Sequence, residues 1–162
     1  MGYLSIQPDG TTGQDAFVRS GDPTINYGTN AELGVGWKLA SLEYESYLKF
    51  DLSTIPAGVK ILRADLTIYV TTSLNSITES FEVLPLLSAF NEATVTWNTR
   101  PNLISNPYVV DFTLGAPLTS YVIPIANIVE AQYLGTIVNR GIAMRAKVAG
   151  STSYKFFTSS DG

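Results

Sequence analysis

The stretch Ala64-Asp65-Leu66-Thr67-Ile68-Tyr69-Val70-Thr71 decides the fold class. Ala64, Leu66, Ile68 and Val70 alternate with Asp65, Thr67, Tyr69 and Thr71, and a period of two places each set on its own face of an extended strand. The same period recurs on the N-terminal side. Tyr44, Ser46, Leu48 and Phe50 alternate with Glu45, Tyr47, Lys49 and Asp51, and Leu33, Val35, Trp37 and Leu39 alternate with Gly34, Gly36 and Lys38. Leu4–Gln7, Ala16–Arg19, Phe81–Leu87, Tyr108–Thr113, Ser120–Ile125, Gly141–Val148 and Tyr154–Thr158 read as further extended runs, about ten short strands in all. Between them stand turn formers such as Gly21-Asp22-Pro23, Asn26-Tyr27-Gly28 and Pro56-Ala57-Gly58. Only Asn127–Leu134 reads as a helix, with Asn127 as its N-cap and Gly135 at its end. The pattern predicts an all-β fold, a jelly-roll-like antiparallel β-sandwich with one short helix, spanning residues 1–162 as a single domain.

Composition narrows the chemistry. The 162 residues include no Cys and no His, which excludes a disulfide framework, a thiolate or imidazole metal site, a Cys nucleophile and a Ser-His-Asp triad. Ten Lys and Arg against fourteen Asp and Glu give a net charge of −4, without the basic footprint that nucleic acid requires. Only 15% of residues are charged, well below the usual ~25%, and Ser, Thr and Asn fill the polar positions, as suits a pleated surface and its turns. The uncharged stretch from Phe112 to Val129 is broken by Gly115, Pro117, Pro124 and Asn127, and so reads as strands and turns instead of a membrane span. The start, Met1-Gly2-Tyr3-Leu4-Ser5-Ile6, lacks the basic and apolar regions of a signal peptide.

An ordered set of motifs carries a family resemblance. It runs from Asn26-Tyr27-Gly28 through Leu33-Gly34-Val35-Gly36 and Tyr47-Leu48-Lys49-Phe50-Asp51-Leu52-Ser53-Thr54-Ile55-Pro56 to Ala64–Val70. It continues with Glu92-Ala93-Thr94-Val95-Thr96-Trp97-Asn98-Thr99-Arg100-Pro101, Asn139-Arg140-Gly141-Ile142-Ala143 and Phe156-Phe157-Thr158-Ser159-Ser160. From Asp15 to Ser160 the chain resembles the DNRLRE family, disaggregatase-related domains also classed among carbohydrate-binding modules. The resemblance implies a jelly-roll-like sandwich without catalytic residues, borne on exported proteins or similar to modules of phage structural proteins, with acidic polysaccharides, alginate in particular, as ligands of some members. Family members continue to an Arg-Pro and a last apolar strand, whereas this chain stops at Asp161-Gly162, as the N-terminal part of a longer protein would.

The marked residues give the candidate sites. Trp37, on a strand bared by Gly34 and Gly36, is either a sugar platform or a core residue. Arg145 and Lys147 share a face by their spacing, and with Lys49 and Lys155 they would meet an acidic glycan. Asp15, Asp22 and Glu32 flank a long loop and could ligate a structural Ca²⁺, although their spacing matches no known loop motif. Glu43 with Glu45, or Glu79 with Glu82, would be the carboxylate pairs of a glycosidase, a reading the resemblance does not supply. Trp97 reads as core.

Two non-enzymatic functions follow. The first is a structural or adhesive surface module of a phage virion, a decoration, fibre or spike protein. It would dock on other subunits or on further copies of itself through Leu42, Tyr44, Leu103 and Ile104, and the missing export signal favours it. The alternative is a carbohydrate-binding module of a secreted or cell-surface protein that grips an acidic glycan such as alginate.

Overall fold

In the protein's structure, a computed structural model, residues 2–8, 13–39, 41–73, 77–150 and 152–159 are described. They form β1 (Gln14–Arg19), β2 (Glu32–Lys38), β3 (Leu42–Lys49), β4 (Asp65–Ser73), β5 (Glu79–Pro85), β6 (Val110–Leu114), β7 (Thr119–Pro124), α1 (Ala126–Tyr133), β8 (Ile142–Ala146) and β9 (Tyr154–Thr158). Every pairing is antiparallel, in the order β6-β5-β8-β3-β2-β9-β4-β7, with β1 added to β3. The fold is the all-β sandwich that the alternation predicts. Leu4–Gln7 lies outside every strand, with Leu4 50% exposed. The helix N-cap lies two residues earlier than predicted. Ile125 occupies the N-cap position and Asn127 instead accepts from the Ile128 amide through Oδ1 at 2.9 Å.

β4 keeps its sequence pattern intact, with Leu66, Ile68 and Val70 buried and Asp65, Thr67 and Tyr69 exposed. The strands fall into two layers, β1, β3, β8, β5 and β6 in one and β2, β9, β4 and β7 in the other. β3 is where they join. Its last residues meet β8, but its first pair with β2 only from Gly36 opposite Tyr44 to Lys38 opposite Leu42. Gly36, at φ 115°, turns β2 away toward β9, and a Cβ there would lie 2.4 Å from the Ser153 carbonyl oxygen. Between the layers lies the main core, including Phe17, Leu33, Val35, Leu48, Phe81, Val83, Ile123 and Phe157. Each large apolar side chain buried there contributes about 1.5–3 kcal/mol.

β1 and β3 are buried on both faces, and their burial does not alternate. The reason is a second, smaller cluster of Ala16, Val18, Tyr47, Leu86, Val95 and Ala143, with Phe90, Trp97 and Leu103 packed against it. Part of the segment between β5 and β6 therefore lies over the outer face of β1, β3 and β8. The Asn26-Tyr27-Gly28 turn pins that segment. Asn26 Nδ2 donates to the carbonyls of Glu92 (2.7 Å) and Val95 (2.8 Å), and the Glu92 carbonyl oxygen stands 1.9 Å from where a Cβ on Gly28 would sit. Gly28 is thus required for close backbone approach and does not carry a positive φ.

Candidate functional site

Alternation along β3 sends Tyr44, Ser46 and Leu48 inward and Glu43, Glu45, Tyr47 and Lys49 outward. On β8 the same rule sends Arg145 outward between two carboxylates. Glu82 of β5 is directly opposite Arg145, and Met144 opposite Ser46 sets Glu45 beside it on the other side. Asp111 of β6 stands opposite Glu82, so a row of charged groups crosses the outer face from β6 to β3.

The covering segment completes the site. A single turn of 3-10 helix, Trp97–Thr99, is held by the reciprocal bonds of Thr96 and Thr99. It aims Arg100 back over Trp97, with the guanidinium 4.1 Å from the indole ring centre and NH1 donating to the Trp97 carbonyl at 2.9 Å. Such a cation–π contact contributes about 0.5–1 kcal/mol at an exposed site. Between this turn and the sheet runs an open groove of about 280 Å³, lined by Glu43, Glu45, Trp97, Arg100, Leu103 and Arg145 among others.

The electrostatics of the groove are tightly coupled. Arg145 Nε donates to Glu82 Oε1 at 2.6 Å, and Arg100 Nε stands 3.8 Å from Glu45 Oε2. The Tyr47 hydroxyl donates to the same Glu45 oxygen at 3.0 Å. Burial pushes the Glu45 carboxyl up from its ordinary value, against the Tyr47 bond and both arginines. Glu43 is also pushed up, first by burial and then by the charge of Glu45. Burial raises the Tyr47 hydroxyl further out of reach of titration, helped by Glu45.

A larger cavity of about 670 Å³ opens between the loop from Asp51 to Val59 and the end of α1. Its polar groups hold the loop. The Tyr133 hydroxyl donates to the Pro56 carbonyl (2.8 Å) and accepts from the Val59 amide (3.2 Å), and Asn139 donates to the Phe50 carbonyl (2.9 Å). Its lining contains no Lys or Arg. The smaller groove, with its two guanidiniums and indole, is the better candidate for recognition.

The structure brings some of the sequence candidates together and separates others. Arg145 lines the groove, and Lys147 lies further along β8's outward side, ion-paired with Asp111. Lys49 is outward on β3 but at the far end of the strand, beyond Tyr47 and the covering segment. Trp37 is in register with Glu43 one strand away, partly buried and outside the groove lining. The bare face beside Gly34 is filled by the protein's own rings, since a Cβ there would meet Tyr44 at 2.9 Å and Phe156 at 3.0 Å. Lys155 is fully buried with Phe157, its ammonium donating to Ser73 Oγ (2.6 Å) and the Ile77 carbonyl (3.0 Å), so it takes no part in an outer-face cation cluster. Burial lowers its pKa while Glu79 acts in the opposite direction.

Asp15, Asp22 and Glu32 are employed apart. Asp15 is buried in the β1 layer, Asp22 pairs with Arg19 and accepts from the Tyr27 hydroxyl (2.5 Å), and Glu32 accepts from Thr71 Oγ1. Among the described residues no group of three Asp, Glu, His or Cys side chains is placed to hold a metal ion. Of the expected contact residues, Tyr44 is buried at 3% exposure, Leu42 packs against the main core and Leu103 against the smaller one. Ile104 is partly buried, its amide donating to the Pro85 carbonyl at 2.9 Å. Arg100 went unnoticed in the sequence, although its spacing of three from Trp97 in a turn was a usable signal.

The sequence profile of carbohydrate-binding module family 96 matches residues 9–161, nearly the whole chain. The protein belongs to this family. The module is thus, by class, a carbohydrate-binding unit on an all-β scaffold. A search of curated proteins found no match. No helix among the module's described residues is long and apolar enough to cross a membrane.

Proposed function

We propose that the module is a non-catalytic unit that binds a polysaccharide across the outer face of β3, β8 and β5, in the groove under the Trp97–Arg100 turn. The observation that carries this reading is the pair of partly exposed guanidiniums, Arg100 at 43% and Arg145 at 39%, lining one groove beside an indole in a chain of a carbohydrate-binding family. A guanidinium has five N–H donors in a fixed fork, so Arg145 keeps capacity for a ligand after bonding Glu82 through Nε. Glu43 and Glu45 line the same groove. An acidic glycan such as alginate is the preferred ligand, with Lys147 extending the cationic side of the row; kinship with the DNRLRE domains, and an extracellular or cell-surface site of action, belong to the same proposal. The virion role gains no support from the family match, and the contact residues it relied on are largely packed inside.

Affinity electrophoresis in gels containing alginate tests the reading. The protein is expected to be retarded, Arg145→Ala to lose most of the retardation, and added salt to weaken it. Free migration of the wild type through gels of alginate and of a neutral glucan alike would remove the proposal.

A further inference from the structure

The charges that face the groove come from four elements. β3 supplies Glu43 and Glu45, with the un-ionised Tyr47 hydroxyl bonded to the latter. β8 supplies Arg145, β5 supplies Glu82 behind it, and the covering segment supplies Arg100. With all of them ionised, three carboxylates face two guanidiniums, and the groove is negative by one charge. Each guanidinium is already close to one of the protein's own carboxylates. A polyanion entering this groove meets Glu43 and Glu45 without a surplus of positive charge to offset them, and like charges brought together on binding are costly.

We propose that Glu43 and Glu45 form an acid-released gate that weakens binding of a polyuronate near neutral pH and admits it in mild acid. The inference rests on the polysaccharide-binding reading of the same groove and specifies its selectivity. When both glutamates take up a proton, one carboxylate faces two guanidiniums and the groove becomes positive by one charge. The two carboxyls also turn from acceptors that repel a glycan carboxylate into O–H donors that can bond it. Burial favours this protonation at both positions, and at Glu43 the neighbouring Glu45 charge adds to it. A uronate chain is exposed to water and its carboxyls are acidified by the adjoining ring and anomeric oxygens, so it stays ionised over a pH range in which the glutamates are neutral. Glu82, bonded to Arg145 Nε, keeps that guanidinium aimed at the groove.

The test measures alginate binding to the intact protein at pH 7 and pH 5, at fixed ionic strength, by calorimetry and affinity electrophoresis. Wild-type Kd is expected to fall about tenfold on acidification, the change that about 1.4 kcal/mol makes. The double variant Glu43→Gln, Glu45→Gln is expected to bind at pH 7 as tightly as the wild type does at pH 5, with no remaining pH slope. Both changes are isosteric and remove buried charge, and thermal melts check that the variant is folded. Equal wild-type affinity at the two pH values, or a pH slope that survives in the double variant, overturns the gate while leaving polysaccharide binding in place. The same slope with a neutral glucan also overturns it, because such a chain has no charge to sense the groove. Absence of alginate binding by wild type and variant at both pH values removes the acidic-glycan reading and the gate together.

Discussion

The two faces of β3 differ in what they do for the protein. Inward, Tyr44, Ser46 and Leu48 are closed into the core, and the Ser46 hydroxyl donates to the Gly34 carbonyl at 2.6 Å. Outward, Glu43, Glu45 and Tyr47 lie on a face of similar burial, yet two of the three are acids held above their ordinary pKa. One strand therefore carries groups that stabilise the fold and, one residue away, groups that burden it. Buried charge that costs stability marks a surface shaped by something other than folding. The proposed binding groove under Trp97–Arg100 lies on this outward face, whereas the larger cavity beside α1 has Tyr133 committed to the loop it holds.

The contrast can be broken most strongly from the inside. Leu48→Ala removes a side chain only 5% exposed and is expected to cost about 2–5 kcal/mol of unfolding free energy in a denaturant titration. A loss under about 1 kcal/mol would mean the inward face is not the stabilising one. From the outside the sign should reverse. Glu45 has its folded pKa raised above the unfolded value, so its favourable contribution is complete below the unfolded pKa and is lost as pH rises through the folded one. Glu45→Gln is therefore expected to stabilise the protein at pH 7, with the gain vanishing once pH falls below both values. A melt showing destabilisation at pH 7 would reveal that the Tyr47 and Arg100 contacts outweigh burial. The smallest effect belongs to the rim. Lys147, 46% exposed and paired with Asp111, is expected to change stability by no more than about 0.5–1 kcal/mol on replacement by Ala, because exposed ion pairs contribute little. A larger loss would extend the structural role of the charged row to its exposed end.

Strand alternation was legible wherever one face meets the core and the other meets water, as in β4. It gave no guide in β1 and β3, where a covering segment buries the second face, or at Tyr154–Phe157, where Lys155 was grouped with the outer cations and lies inside. Gly28 read in the sequence only as part of a turn, whereas a carbonyl 66 residues along the chain from Asn26 sets its requirement. Arg145 was found because its spacing from Lys147 fixed a shared face. Its carboxylate partners Glu82 and Glu45 come from two other strands, and no spacing along one chain could supply them.

Sequence alone determined that this chain is a β protein without thiol or imidazole chemistry, because side-chain period and residue inventory are local properties. Its ordered motifs pointed to the carbohydrate-binding class. Tertiary structure decided which alternate faces are buried twice, placed Lys155 inside, and assembled Glu43, Glu45, Arg100 and Arg145 around one groove. Those outcomes depend on strand order, register and the segment folded over the sheet, which are set by contacts between residues far apart along the chain.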